Sequence, residues 1–281
     1  MNIGTWNVRS IKNKEEDLVS EIKKYKIDIL GITETKKKGQ GVDDIGSGSH
    51  KLIYSGVSAN DRAKAGVGLV VSDYLYNSIE HNFINERLLE ANLDLKQKNI
   101  KIIVAYGPNE DASKEEKDNF YDQLQQSIDN MRPNQELMIL GDLNARVGNK
   151  PESCNRVIGK EGEDIVTLNG EMLVDLCIRN GLKIANTFFI HKNIHKWTRV
   201  AEERNERSII DYVIVSNSLF YNTEDVRVKR GAEIESDHFL VVSKMKLSPK
   251  PKRQERKQQP KLNLKLKNLK TLMLKKNIKT R

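Results

Sequence analysis

Asp142 and Asn144 stand two residues apart at the end of an apolar run, in ELMILGDLNARVG (136–148). Leu137, Met138, Ile139 and Leu140 predict a buried strand that runs into Gly141. Residues two apart on a strand share a face, so a carboxylate and an amide here would hold a cation or a reacting phosphate from the end of a rigid element. The same pair also fits an Asx-type turn that closes the strand. The pattern recurs along the chain. Asn7 follows IGTW, Glu34 follows ILGIT, Tyr106 follows IIVA, Asp211 sits inside SIIDYVIVS, and Asp237-His238 opens HFLVVS. Each alone is more often a capped strand end or a paired core polar group than a catalytic residue. Together, on one sheet edge, they cost free energy unless their charge is compensated. A divalent cation compensates it, and oxygen donors select Mg²⁺ or Mn²⁺ over Zn²⁺.

The elements that must position these groups follow from periodicity. Strands are predicted at 2–8, 27–35, 66–73, 100–108, 137–145, 183–189, 208–216 and 237–247. A helix is predicted at 10–25, with Ser10 as N-cap and Leu18 and Ile22 one turn apart. A second, at 113–129, opens on a capping box of Ser113 and Glu116 and presents Phe120, Leu124 and Ile128 on one face. A third, at 167–181, stops at Asn180-Gly181. Strands outnumber helices and often follow one another directly. That order predicts an α/β fold of two packed mixed β-sheets flanked by helices rather than a single doubly wound sheet.

Composition narrows the class. The 281 residues suit one large α/β domain, and 37% apolar with 31% charged content fits a globular chain. No apolar run approaches the roughly 18 residues of a membrane helix, so no membrane partner is expected. MNIGTWNVRS lacks the long apolar core of a signal peptide. With only Cys154 and Cys177, this predicts a reducing compartment and free thiols. The net charge of +9 is uneven. Residues 248–281 hold 13 Lys and Arg against one acid, Glu255, a net of +12 that leaves residues 1–247 at −3. The expected organisation is therefore a catalytic body, 1–247, and a basic tail, 248–281. SPKPKRQERKQQP (248–260) reads as a linker. Beyond it Leu262, Leu266, Leu269 and Met273 have helical spacing, which fits a basic amphipathic helix or a solvated tail.

TWNV, GITETK, AYGP, GDLNA, IDYV and SDH, in this order, resemble the endonuclease/exonuclease/phosphatase superfamily, over roughly residues 1–247. The resemblance is greatest to the apurinic/apyrimidinic-endonuclease branch and to the endonuclease domains of non-LTR retrotransposons. It implies a four-layered α/β sandwich and Mg²⁺-dependent phosphodiester hydrolysis, with Mn²⁺ as a substitute, leaving 3′-hydroxyl and 5′-phosphate ends. By the same resemblance Glu34 is the main metal ligand, with Asn7 beside it. Asp142 aligns or deprotonates the attacking water and Asn144 is the amide next to it. His238 contacts the scissile phosphate, Asp211 orients that histidine, Asp237 is a further metal-proximal acid, and Tyr106 is the phenol near the phosphate. DNA is the implied partner and the nucleus the expected location, with the cytoplasm as an alternative. Two positions depart from the abasic-site pattern: Arg9 stands where those enzymes carry an acid, and Ser208 where they carry a tryptophan that lines the sugar pocket. The departures favour nicking of ordinary or distorted DNA over strict abasic-site repair.

HKNIHKWTRVAEERNER (191–207) corresponds to a region that touches DNA in the family. Lys196, Arg199, Arg204 and Arg207, with Arg9, are candidate phosphate contacts, and Trp197 could stack or wedge. The alternative is an exposed hairpin whose Glu202, Glu203 and Glu206 offset its charge. His191 and His195 lack the further ligands of a zinc site, and His50 and His81 are expected on the surface. No P-loop, dinucleotide fingerprint or serine nucleophile elbow is present, so no small-molecule organic cofactor is expected. Two competing readings are a phosphatase or RNA deadenylase of the same superfamily and a catalytically idle chromatin- or nucleic-acid-binding protein. The charge asymmetry has a measurable consequence. Each neutralised phosphate adds about −0.9 to the slope of log K against log salt, so DNA binding by a 1–247 truncation should show a slope several units flatter than the full chain. Equal slopes would mean that the tail does not anchor DNA.

Overall fold

The computed structural model describes residues 1–154 and 156–248. In chain order the strands and helices are β1 (Asn2–Asn7), α1 (Glu15–Tyr25), β2 (Ile29–Thr33), β3 (Gln40–Ile45), β4 (His50–Ser55), β5 (Val67–Ser72), α2 (Asp73–Tyr76), β6 (Ile79–Phe83), β7 (Leu88–Asp94) and β8 (Asn99–Tyr106). There follow α3 (Lys114–Asp129), β9 (Gln135–Asp142), α4 (Leu168–Arg179), β10 (Leu182–Ile184), β11 (Arg199–Ala201), β12 (Glu206–Ser208), β13 (Asp211–Ser216), α5 (Asn217–Phe220), β14 (Thr223–Lys229) and β15 (Leu240–Met245). One sheet has the order β14-β15-β1-β2-β5-β4-β3 and the other β10-β13-β9-β8-β7-β6, with β11-β12 a separate hairpin. Each large sheet is mixed: β1–β2 and β8–β9 are parallel, their other ladders antiparallel.

The alternation of side chains explains the layers. On β9, Met138 and Leu140 face the core between the sheets, and Leu137 and Ile139 face α3 and α4. On β13, Val213 and Val215 face inward, Tyr212 and Ile214 outward. On β2, Ile29 faces the other sheet, while Leu30 and Ile32 meet Leu18, Val19 and Ile22 of α1. The order α1, sheet, sheet, α3 with α4 is the expected four-layered sandwich. Strands covered on both faces read as continuous apolar runs, which is why they were visible in the sequence.

The edge strands β3, β6 and β14 alternate more and less exposed residues, with Asp44, Glu80, Glu224 and Arg227 among the exposed ones. Neither they nor β4 and β7 were anticipated. The first helix is also corrected: it starts at Glu15, after Lys14, and Ser10 does not cap it. Residues 8–11 instead run on beside the end of β2, where the Val8 and Ile11 amides donate to the Thr33 and Thr35 carbonyls and both side chains are buried. Tertiary pairing outweighs the local capping signal. The strand expected at 183–189 is shorter, because residues Ala185–Phe188 form a 3₁₀ turn. Asn186 compensates there: its Nδ2 donates to the Asp211 carbonyl and its Oδ1 accepts from the Val213 amide, a side-chain substitute for the ladder. Ser113 caps α3 by accepting from the Glu116 amide at 3.1 Å, but the Glu116 carboxylate turns to Arg87 rather than closing a box. Thr167 caps α4 and Gly181, at φ +61°, ends it. His50 is buried rather than on the surface, with Nδ1 on Ser49 Oγ, and burial lowers its pKa with help from Lys23. Cys177 is a buried free thiol. The expected tail, from Pro249 on, lies outside the described residues.

Gly141 is where this packing sets up the site. Its φ is +154°, and a Cβ would sit 1.8 Å from the Ala105 carbonyl oxygen. Only glycine lets β9 lie this close to β8 immediately before Asp142. Leu140, one residue earlier, fills the space between the sheets. Leu140→Ala should cost about 2–5 kcal/mol, whereas Tyr221→Ala, at an exposed position, should stay within about 0.5 kcal/mol of wild type. Urea unfolding of the two variants checks the contrast.

Candidate active site

Four strands end at one place. β1 delivers Asn7 and β2 runs into Glu34, both in the seven-stranded sheet. β8 delivers Tyr106 and β9 Asp142 from the other sheet, and β13 begins there at Asp211. Asp211 is in register with Asp142, and so is Tyr106 on the opposite neighbour. A chain of hydrogen bonds crosses the gap between sheets. Tyr106 Oη donates to Glu34 Oε1 at 3.1 Å, and Asn7 Nδ2 donates to the same oxygen and to Asp142 Oδ2, each at 2.9 Å. Glu34 sits in the left-handed backbone region (φ +52°), as do Arg9, Lys36 and Asn144 around it. Non-glycine residues rarely adopt this conformation, and its concentration here marks a site that the surrounding fold must enforce.

His238 completes the cluster. Its Nδ1 lies 2.9 Å from Asp211 Oδ2 and 3.8 Å from Asp142 Oδ2, all three residues being buried. Burial opposes a charge on the ring, but the Asp211 and Asp142 carboxylates outweigh it and raise the pKa to about 9. The imidazole is therefore a cation whose Nδ1–H is fixed by Asp211. Its Nε2 has no partner among the described residues, and the residue lines the cleft. The pKa of Asp142 is raised as well. Burial and the charge of Asp211 push it up to about 7, against the pull of His238 and the donors Asn7 and Asn144. Burial, with Glu34 and Asp142, raises Tyr106 well above the ordinary phenol range, so it stays a hydrogen-bond donor.

Asn144 takes the turn form of GDLNA. Its amide donates to Asp142 Oδ1 at 3.0 Å, the turn contact, while its side chain lines the cleft and donates to the Gly107 carbonyl. Strand alternation does not extend to it, because β9 ends at Asp142. Asp237 is engaged by two arginines: Oδ1 pairs with Arg9 at 3.3 Å and Oδ2 with Arg199 Nε at 2.9 Å. Burial would raise its pKa, but His238 and the two arginines outweigh that and lower it. The cleft, about 910 Å³, is lined by Glu34, Tyr106, Asp142, Asn144, His238, Asp237, Arg9 and Arg199, and by Arg204, Arg207 and Ser208. Lys196 and Trp197 are elsewhere. Lys196 pairs with Glu161, and Trp197 packs against the helix-side core of the second sheet.

Several positioning groups escaped sequence reasoning. Thr198 Oγ1, buried, accepts from the Ile210 and Asp211 amides and so fixes the start of β13. Ser236 Oγ donates to the Asn7 carbonyl and accepts from the His238 amide, tying β1 to the histidine. Lys36 and Arg146 line the cleft as well. The serine of SDH and the lysine of GITETK carried a signal, being part of quoted motifs, but neither was named as a site residue.

The donor set suits a hard divalent cation. Glu34 and Asp142 offer carboxylate oxygens, with Asn7 bridging them and Asn144 beside Asp142. The Asp142–Asp211–His238 group could formally hold a metal. There, however, the Nδ1 nitrogen is engaged by Asp211, so the oxygen side at Glu34 fits better.

A model of the Endonuclease/Exonuclease/phosphatase family matches residues 4–238. The chain belongs to this family. Among its relatives, Craniofacial development protein 2 of Tragulus javanicus is 32% identical over 250 residues, covering 88% of this chain and 42% of that one. The chain thus spans less than half the length of this curated relative. Two solved family folds superpose at lower identity. The Neisseria 3′ phosphatase NExo, bound to a product DNA hairpin, matches with TM-score 0.64 and 20% identity over 87% of this chain and 99% of that one. The endonuclease domain of TRAS1, a telomere-specific non-LTR retrotransposon, matches with TM-score 0.62 and 17% identity over 88% and 98%. These two likenesses concern the fold alone.

The His238–Asp211 pair makes stability depend on pH. A folded pKa of about 9 against an ordinary value near 6.5 stabilises the fold fully below pH ~6.5, and the contribution is lost as pH rises through 9. In EDTA, wild type should lose more thermal stability between pH 6.5 and 9.5 than Asp211→Asn, which lacks the counter-charge. Parallel profiles would mean that Asp211 does not hold the proton on His238.

Proposed function

We propose that this chain is a Mg²⁺-dependent DNA endonuclease that nicks ordinary or distorted DNA. The observation that carries the reading is the unbroken arrangement Tyr106–Glu34–Asn7–Asp142 with His238–Asp211, opening on a cleft with arginines on its walls. Glu34 and Asp142, assisted by Asn7 and Asn144, would hold the cation, which when bound supplies a positive charge to the developing phosphorane and the leaving oxygen. Asp142 aligns the attacking water and accepts its proton. The His238 imidazolium, aimed by Asp211, donates from Nε2 to a non-bridging oxygen of the scissile phosphate, where charge accumulates. Tyr106, kept protonated, steadies Glu34 and presents its phenol at the phosphate. Water adds to phosphorus, the bond to the 3′ oxygen breaks, and the products are a 3′-hydroxyl and a 5′-phosphate. Arg199, Arg204 and Arg207 grip neighbouring phosphates. Ser208, on the cleft wall where abasic-site enzymes carry a tryptophan, supports nicking over abasic-site repair.

Incubating purified protein with supercoiled plasmid should give nicked circles in Mg²⁺ and none in EDTA. Asp142→Ala and His238→Ala should each lower the rate by roughly 10²–10³ while remaining folded by circular dichroism. Nicking at the wild-type rate by either variant would remove the mechanism.

A further inference from the structure

A second cavity of about 530 Å³, lined by Arg9, residues 199–204, Ser236, Asp237 and Phe239, lies next to the cleft. The two cavities share Arg9, Arg199, Arg204 and Asp237. The boundary between them is thus the ion-paired bridge in which Asp237 receives Arg9 on one oxygen and Arg199 on the other. Two guanidinium groups meet one carboxylate, so the bridge itself keeps a net positive charge, although Glu202 and Glu203 also line the second cavity. Arg199 uses Nε on Asp237, which leaves the terminal nitrogens of a planar fork for another oxyanion.

The bridge is also rigidly tied to the reacting end. β11 is fastened to the segment that carries His238: the Val200 amide donates to the Asp237 carbonyl at 2.9 Å and the Phe239 amide to the Thr198 carbonyl at 2.7 Å. Arg9 follows Asn7 by two residues, and its amide donates to Asn7 Oδ1 at 3.0 Å. A group on the bridge is therefore one backbone pairing away from His238 on one side and two residues from Asn7 on the other.

We propose that Arg9 and Arg199 form a subsite for the phosphate next to the scissile one, with the strand continuing into the second cavity, and that Asp237 is a positioning residue which orients both guanidinium groups rather than a metal ligand. The inference rests on the nucleic-acid reading of the cleft and sharpens it. A site spanning two cavities joined at a phosphate clamp takes a polynucleotide, not a small terminal phosphomonoester. It also gives Arg9, which stands where related enzymes carry an acid, a binding role.

The test is fluorescence-anisotropy binding of a short fluorescein-labelled DNA duplex to the full chain in EDTA, at several salt concentrations. Arg9→Ala and Arg199→Ala should each weaken binding roughly tenfold at low salt and flatten the salt slope by about 0.9. Lys244→Ala, a charge removed from the exposed face of β15, should leave the slope unchanged. In an Asp237→Asn background the cost of Arg199→Ala should shrink, since the fork has lost its anchor. Wild-type slopes in both arginine variants, or an Arg199→Ala cost that is the same in both backgrounds, would overturn the clamp. Because binding is read without metal, a protein that binds in this way but never nicks plasmid would sink the catalytic reading and leave the clamp standing.

Discussion

The cleft depends on one amide. Asn7 Nδ2 lies 2.9 Å from both Glu34 Oε1 and Asp142 Oδ2, and these carboxylates belong to different sheets. Without a donor between them, two acidic groups at the meeting of two β-layers would repel in a poorly solvated place. The amide lets them converge while carrying no charge, so the site stays negative enough to want a cation. Everything nearby serves that convergence. Gly141 brings β9 against β8, Thr198 fixes the start of β13, and Ser236 ties the carbonyl of Asn7 to the histidine segment.

Charge is segregated within the site by depth. The deepest groups, Asp142, Asp211 and His238, are buried and bear on one another. The arginines stand further out, and two of them are engaged by Asp237. This order suits a polyanion that must be held at its backbone by the outer groups while one phosphate reaches the inner ones.

What the sequence revealed followed from burial on two faces. β2, β8, β9 and β13 are covered on both sides, so their apolar runs stood out, and the polar residue at each end stood out with them. The residues of the strand-end set meet in space as their positions in the runs implied. β3, β6 and β14 have one wet face, and their mixed patterns looked like loops. Helix α1 was placed too early because Ser10 offers a good local cap, while the pairing of residues 8–11 with the end of β2 is a long-range effect. Asp237 was grouped with the acids through the resemblance of SDH to the family motif; in the folded chain it lines the same cleft, and its carboxylate meets Arg9 and Arg199. Thr198 and Arg146 belong to no motif, and only the folded chain shows what they hold.

The central claim is that Glu34 and Asp142, joined by Asn7, form a cation site. Calorimetric titration of Mg²⁺ into the metal-free protein tests it most directly, with Glu34→Gln as the comparison. Saturable binding by wild type at a single site, lost or weakened at least tenfold in Glu34→Gln, is the expected result. No binding by wild type, or equal affinity in the variant, would contradict the account.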